Sequence, residues 1–290
     1  MQSQLQELAR RLLAEKKVDV VIGYGLSGNG RVGAFFATDE RQCEKLVWNE
    51  QCTQNLVVYL TRPEVKKLGR PAIVVKGCDA RAIVVLCNEG QLQREDMVVI
   101  GMVCGGVLDA NGQKHAKCEI CSSHVPANVD EVIGEGANIP SGPQTAEERF
   151  AGGKYTKLAK LRAMPRQERF AWWKKELSRC VRCSACRQVC PLCYCKVCVA
   201  DKNRPVRIET SATPSANFAW NILRAFHLAG RCVGCGACAA ACPAGIDLDL
   251  LNLTLAQTAE TEFGAVSGTV PGALPLIGSF SQEDKEDFIQ

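Results

Sequence analysis

One cysteine pattern occurs twice in this chain and constrains it more than any other feature. Cys180-Val-Arg-Cys183-Ser-Ala-Cys186-Arg-Gln-Val-Cys190-Pro191 recurs as Cys232-Val-Gly-Cys235-Gly-Ala-Cys238-Ala-Ala-Ala-Cys242-Pro243, with the same spacing and the same ending. Two intervening residues let consecutive thiolates reach adjacent irons of one cube, and the small residues Gly234, Gly236 and Ala237 let the loop wrap closely. The fourth cysteine of such a run serves the other cluster, and the proline after it redirects the chain. The pattern predicts two 4Fe-4S clusters, one on Cys180, Cys183, Cys186 and Cys242 and the other on Cys232, Cys235, Cys238 and Cys190. Zinc also binds paired C-x-x-C motifs, but it closes with four ligands and has no need of a doubled run ending in Cys-Pro.

The 290 residues contain eighteen cysteines, seven before Glu147 and eleven between Cys180 and Cys242. The first residues have neither the basic start nor the apolar core of a secretion signal, so a cytoplasmic location is expected. In that reducing compartment a disulfide framework does not account for so many thiols, and metal does. The longest apolar stretch, about Met97 to Leu108, is interrupted by glycines and falls short of the ~20 residues of a spanning helix. A formal charge of +4 without a long basic, aromatic-interleaved tract gives no support to nucleic-acid binding.

Leu5, Leu8, Leu12 and Leu13 fall at helical spacing between Ser3 and Lys17, and a strand is expected over Val18 to Ile22. Valine-rich apolar runs, Leu56 to Leu60, Ala72 to Val75 and Met97 to Val103, alternate with a helix from Ala80 to about Leu92, the pattern of an α/β domain. The composition then shifts to Gly, Pro, Ser and Ala between Gly134 and Gly153, which reads as a linker. Beyond it lie a helix carrying Trp172 and Trp173, the first repeat, and a second helix from about Asn217 to Leu228. The expected architecture is an α/β domain over 1–133, a linker over 134–153, a mainly α-helical two-cluster ferredoxin-like domain over 154–262 and a tail over 263–290. Lys154 to Arg187 carries eleven Lys or Arg against Glu168 and Glu176. That segment reads as a solvated basic face, or as one that offsets cluster charge or docks an acidic partner.

Seven further cysteines carry readings of their own. Cys78 and Cys104 each follow the end of a predicted strand, and in an open α/β sheet such ends share one edge. With Cys118 and Cys121 they hold a third 4Fe-4S cluster, or else they are two core cysteines beside a zinc knuckle; spacing leaves both open. Cys193, Cys195 and Cys198 exceed the needs of two cubes. They read first as buried structural thiols, and second as ligands of an additional centre completed by a thiol such as Cys43 or Cys52. Gly23-Tyr-Gly25-Leu-Ser-Gly28 matches G-x-G-x-x-G after a strand, but the following Asn29 to Phe36 looks like another strand, so the helix N-terminus that a pyrophosphate needs is missing. His115, His124 and His227 show no triad or metal spacing, and no nucleophile signature accompanies them.

Several of these residues also resemble known families. The helix between Cys190 and Cys232 resembles the α-helical ferredoxin domains of heterodisulfide reductase and succinate dehydrogenase iron–sulfur subunits. Lys76-Gly-Cys-Asp-Ala-Arg-Ala82, Ile100-Gly-Met-Val-Cys-Gly105 and the C-x-x-C at Cys118 resemble the beta subunits of deazaflavin-coenzyme-reducing hydrogenases and formate dehydrogenases. Together with Tyr194-Cys-Lys196 and Phe226-His-Leu-Ala-Gly-Arg-Cys232, the likeness is to iron–sulfur subunits that link such modules to heterodisulfide-reductase-like complexes of anaerobic metabolism. The resemblance implies a cluster on Cys78, Cys104, Cys118 and Cys121 and raises FAD as a cofactor. The expected function is an electron-transfer subunit of a cytoplasmic multisubunit oxidoreductase, partnered by catalytic and electron-accepting subunits and without a catalytic residue of its own. Arg182, Arg187 and Arg231 are expected to tune cluster potentials. The alternative is an FAD-containing subunit that oxidises or reduces a deazaflavin or nicotinamide coenzyme.

Overall fold

The computed structural model describes residues 1–109, 111–119, 121–135, 154–202, 204–280 and 282. Most of the expected linker and the acidic end of the chain lie outside the described residues. In chain order the elements are α1 (Gln2–Ala14), β1 (Val20–Leu26), β2 (Val32–Ala37), α2 (Pro63–Lys66), β3 (Pro71–Val75), α3 (Gly77–Asn88), β4 (Val98–Met102), α4 (Ala116–Glu119), β5 (Glu131–Ile133), α5 (Lys154–Ala163), α6 (Arg166–Ser178), α7 (Ala185–Gln188), α8 (Pro214–Phe226), α9 (Ala237–Ala240) and α10 (Leu248–Phe263). The first half is thus α/β and the second helical.

The five strands form one sheet in the order β2-β1-β3-β4-β5, with β1, β3, β4 and β5 parallel and β2 antiparallel to β1 at the edge. Alternation along the strands buries both faces. Val21, Ala72, Val74 and Ile100 meet Leu5, Leu8, Ala9 and Leu12 of α1. Val20, Ile22, Ile73 and Val75 meet Ile83 and Leu86 of α3 on the other side. Gly23 and Gly25 are residues of β1, and the chain turns over Ser27–Arg31 into β2, so the glycine fingerprint marks a hairpin rather than a strand-to-helix crossover.

The apolar run after Asn55 departs from the strand pattern. Leu56–Thr61 is a 3₁₀ segment whose first turn is capped by the Asn55 side chain, and Leu56, Val57 and Leu60 are buried beneath the sheet face. A five-residue apolar run has the same composition in either conformation, and the buried cap decides between them.

The helical half has its own core, in which Leu158, Leu161, Trp173, Leu177, Trp220 and Leu253 surround Cys186 and Cys238. It also shares the core of the first half, because Leu192, Leu228 and Val233 pack with α3 and the sheet. Glu89, just after α3, takes a two-pronged ion pair from Arg231, with Nη2 at 2.7 Å from Oε2. The segment after α10 returns to the first half, where the Arg81 guanidinium donates to the Ser267 carbonyl and Asn88 Nδ2 to the Val270 carbonyl.

At the top of β3, Lys76 and Asp79 form an ion pair of 2.7 Å with side chains 2% and 0% exposed. The Asp79 carboxylate also accepts the Lys76 backbone N–H, which fixes the first turn of α3, and Lys76 Nζ reaches the Gln54 carbonyl at 2.8 Å and the Tyr24 hydroxyl. Removing one member of such a pair strands a buried charge. Lys76→Met is therefore expected to destabilise the fold by about 3–5 kcal/mol, and Lys76→Met/Asp79→Leu by clearly less, measured by denaturant unfolding.

Candidate iron–sulfur centres

Three of the predicted ligand groups are gathered by different means. The two repeats present their cysteines on loops of the same conformation. In the second repeat Gly234 and Gly236 have φ of +69° and +67°; in the first, Arg182 and Ser184 stand at the same places with φ of +55° and +59°. Each loop then enters a four-residue helix, α7 or α9, that carries the third cysteine. The left-handed turns are strained for non-glycine residues. The first loop is held in that shape by Arg182, whose guanidinium lies over the Trp220 ring and donates to the Ala216 carbonyl, and by Asn217, which donates to the Cys180 carbonyl at 2.6 Å.

Cys180, Cys183, Cys186 and Cys242 line a single small cavity of about 20 Å³, closed by Trp220, Ile246 and Leu248. Cys242 comes from the other repeat, so the turn into Pro243 brings it across. Of the remaining four, Cys190, Cys232 and Cys235 pack on the core shared with the sheet, and Cys238 is buried with Cys186 in the core of the helical half. Asn252 Nδ2 points at Cys238 Sγ from α10 at 3.7 Å, and Lys117 Nζ donates to the Cys235 carbonyl at 2.7 Å.

Cys78, Cys104, Cys118 and Cys121 line one cavity of about 110 Å³ at the C-terminal edge of the parallel sheet. Cys78 opens α3 after β3 and Cys104 follows β4. The loop carrying Cys121 is folded back onto both: His124 Nδ1 lies 2.8 Å from the Cys104 carbonyl, and the Cys104 N–H donates to the His124 carbonyl. Gly77 makes this approach possible, since a Cβ there would lie 1.8 Å from the Ser123 carbonyl oxygen. The far wall of the cavity is the second repeat, through Cys232, Val233 and Gly234.

A common local device runs through all three groups. The N–H two residues on donates to sulfur at Cys180 (from Arg182) and Cys121 (from Ser123), both at 3.4 Å, and likewise at Cys104 (from Gly106) and Cys232 (from Gly234). Such bonds stabilise thiolate and tune a metal–sulfur centre. Burial pushes the Cys186 and Cys232 thiols up to about 11 and raises those of Cys78, Cys104 and Cys121. These are groups that ionise on taking up metal. Among the described residues no three Cys, His, Asp or Glu side chains converge as one ion requires.

Arg224 is the residue that the sequence reading missed. It is 6% exposed, donates from Nη2 to the Cys186 carbonyl at 3.0 Å, and stays protonated against the cost of burial because it faces the thiols of Cys193, Cys190, Cys238 and Cys186. It therefore stands between the two cysteine groups of the repeats. The signal was present: Asn217, Trp220, Asn221 and Arg224 fall at i, i+3, i+4 and i+7, a buried stripe into which an arginine had been placed. Of the three cations named from sequence, Arg182 and Arg231 serve as anchors, and Arg187 pairs with Asp201 and donates to the Cys195 carbonyl at 3.0 Å.

The cysteine groups and their loops are those of an iron–sulfur protein. Residues 175–246 match the model of the 4Fe-4S dicluster domain. Among proteins of known role, the chain is similar to the F420-dependent formate dehydrogenase subunit beta of Methanocaldococcus jannaschii, 32% identical over 105 residues, which are 36% of this chain and 27% of that protein. It is also similar to the F420-dependent formate dehydrogenase 1 subunit beta of Methanococcus maripaludis, 23% identical over 245 residues, 54% of this chain and 62% of that protein. The chain thus spans less than two thirds of the length of either relative. These likenesses support an iron–sulfur subunit akin to the formate dehydrogenase beta subunits. Among the described residues no helix is long and apolar enough to cross a membrane.

Two outcomes follow from the loops and from Arg224. Gly236→Ala, at a left-handed position, is expected to cost about 1–2 kcal/mol, whereas Ser184→Gly, which relieves the equivalent turn, is expected to be neutral or stabilising; thermal unfolding of the loaded protein compares them. Arg224→Met removes a buried positive charge beside both groups. It should lower the reduction potentials of both dicluster centres by on the order of 50 mV, read by redox titration followed by electron paramagnetic resonance.

Proposed function

We propose that the chain is an electron-relay subunit of a cytoplasmic multisubunit oxidoreductase of the formate dehydrogenase or hydrogenase type. In this reading it carries three 4Fe-4S clusters, on Cys180, Cys183, Cys186 and Cys242, on Cys232, Cys235, Cys238 and Cys190, and on Cys78, Cys104, Cys118 and Cys121. The observation that carries it is the position of the N-terminal cavity. Its four cysteines are walled by Cys232 to Gly234, so the proposed third centre abuts one of the repeat centres, and a chain of redox sites spans both halves of the molecule.

When bound, such clusters accept and release single electrons without proton or group transfer. The protein's own residues supply the rest. Trp220, Leu248 and Ile246 wall the first group on one side, N–H···S bonds and Asn252 temper the charge on sulfur, and Arg224 stabilises the more negative reduced state of its neighbours. Partner subunits would supply the catalytic centre and the acceptor, as the names of the similar beta subunits suggest.

The test is a difference. Anaerobically purified, reconstituted Cys118→Ser/Cys121→Ser protein is expected to carry about four irons and four sulfides fewer than the parent, with the dicluster signals intact. Equal iron in the two proteins would remove the α/β half from the relay.

A further inference from the structure

Three cysteines that neither the dicluster nor the N-terminal group uses share one cavity. Cys193, Cys195 and Cys198 lie within one six-residue stretch just after the first repeat and line a space of about 390 Å³ together with Arg187, Arg224 and His227. Cys193 and Cys198 are half-buried and pack against the cores of the two halves, as structural thiols would, whereas Cys195 is exposed. Cys43 and Cys52, the thiols considered as completing ligands, are buried in the cores of the first half and do not line this cavity.

The loop is held in place by cations. Arg187 donates to the Cys195 carbonyl at 3.0 Å and Arg231 to the Leu192 carbonyl at 3.2 Å, while the Cys193 N–H donates to the Cys190 carbonyl at 3.2 Å. Arg224, more than nine-tenths buried, lines the same space, and its Nε has no hydrogen-bond partner among the described residues. A concave site with three thiols beside a buried arginine suits an anionic metal–thiolate group.

We infer that Cys193, Cys195 and Cys198 ligate a further iron–sulfur cluster of the cubane type in this cavity. The inference rests on the reading of the chain as an iron–sulfur relay but is separable from it by experiment. A four-iron cube is favoured over one zinc ion because the three thiols lie within residues 175–246, the stretch that matches the 4Fe-4S dicluster domain. Three thiolates on a cube make a net anion, which Arg224 and Arg187 offset. One iron is left to another donor, and His227 lines the same cavity, histidine being an iron–sulfur ligand in other proteins. Cys193 touches Cys190, so the site adjoins the second cluster of the dicluster and widens the relay toward this surface.

The test compares the full chain with Cys195→Ser/Cys198→Ser, both purified and reconstituted without oxygen, for iron, acid-labile sulfide and zinc. These two thiols are chosen because Cys193 contacts a proposed dicluster ligand. The variant is expected to lose about four irons and four sulfides while keeping the dicluster signals in electron paramagnetic resonance. Unchanged iron would overturn the site and leave the relay standing. Loss of one zinc at constant iron would overturn it as a cluster, and a proportional loss of the dicluster signals would show that the loop supports the repeats and holds no iron.

Discussion

The molecule depends on the docking of the second cysteine repeat against the C-terminal edge of the parallel sheet. Val233 and Leu228 join the hydrophobic core of α3 and the sheet, the Arg231–Glu89 pair fixes the angle, and Lys117 reaches across to the Cys235 carbonyl. Each of these contacts links the halves within a few residues of a cysteine in a proposed ligand group. A relay needs its centres at fixed separations, and a buried core with a two-pronged ion pair of 15% and 9% exposure holds them more firmly than a polar interface between loosely tethered domains. The segment after α10, bonded to Arg81 and Asn88, straps the same junction from the outside.

The two halves solve the same problem with different scaffolds. In the helical half three cysteines of each group lie on one continuous loop, so the left-handed turns at Arg182 and Ser184, or Gly234 and Gly236, do most of their positioning. In the α/β half the cysteines are far apart in sequence, and the parallel sheet does the gathering. Strand ends β3 and β4 lie side by side, and Gly77 lets the Cys121 loop close over them. The buried Lys76–Asp79 pair then sets the start of α3 and with it the direction of Cys78. In both scaffolds the N–H···S turn recurs, because a thiolate on a loop finds its nearest backbone donor two residues on.

What was legible in the sequence follows this division. The repeat, the helix before Cys232 and the parallel strands at Ala72 and Met97 are local patterns and could be read directly. The 3₁₀ segment at Leu56 could not, because its conformation depends on a cap buried only after the sheet forms. Convergence of Cys118 and Cys121 on Cys78 and Cys104 depends on the approach of Gly77 to Ser123, two residues 46 positions apart, and no spacing rule reports it. Arg224 was hidden by composition, since one arginine in a helix suggests a solvated face until its i−4 and i−3 neighbours are seen to be Trp220 and Asn221.

The exchange of fourth cysteines carries a consequence for assembly. If Cys242 completes the first group and Cys190 the second, neither repeat can load its cube until the other loop is in place. The elements between them, α8 with its buried Asn217, Trp220 and Arg224, must then be packed before either cluster is stable. Metal binding and folding are coupled wherever ligands are assembled by the fold, and here the coupling reaches further. Leu192 and Val233, which lie beside these cysteines, belong to the core of the sheet, so the α/β half must be folded as well. Burial of the arginine between the two groups also stops being costly once the sulfurs around it are ionised, because the positive charge is then offset from both sides. The clusters and the junction between the halves are in this sense one structural unit.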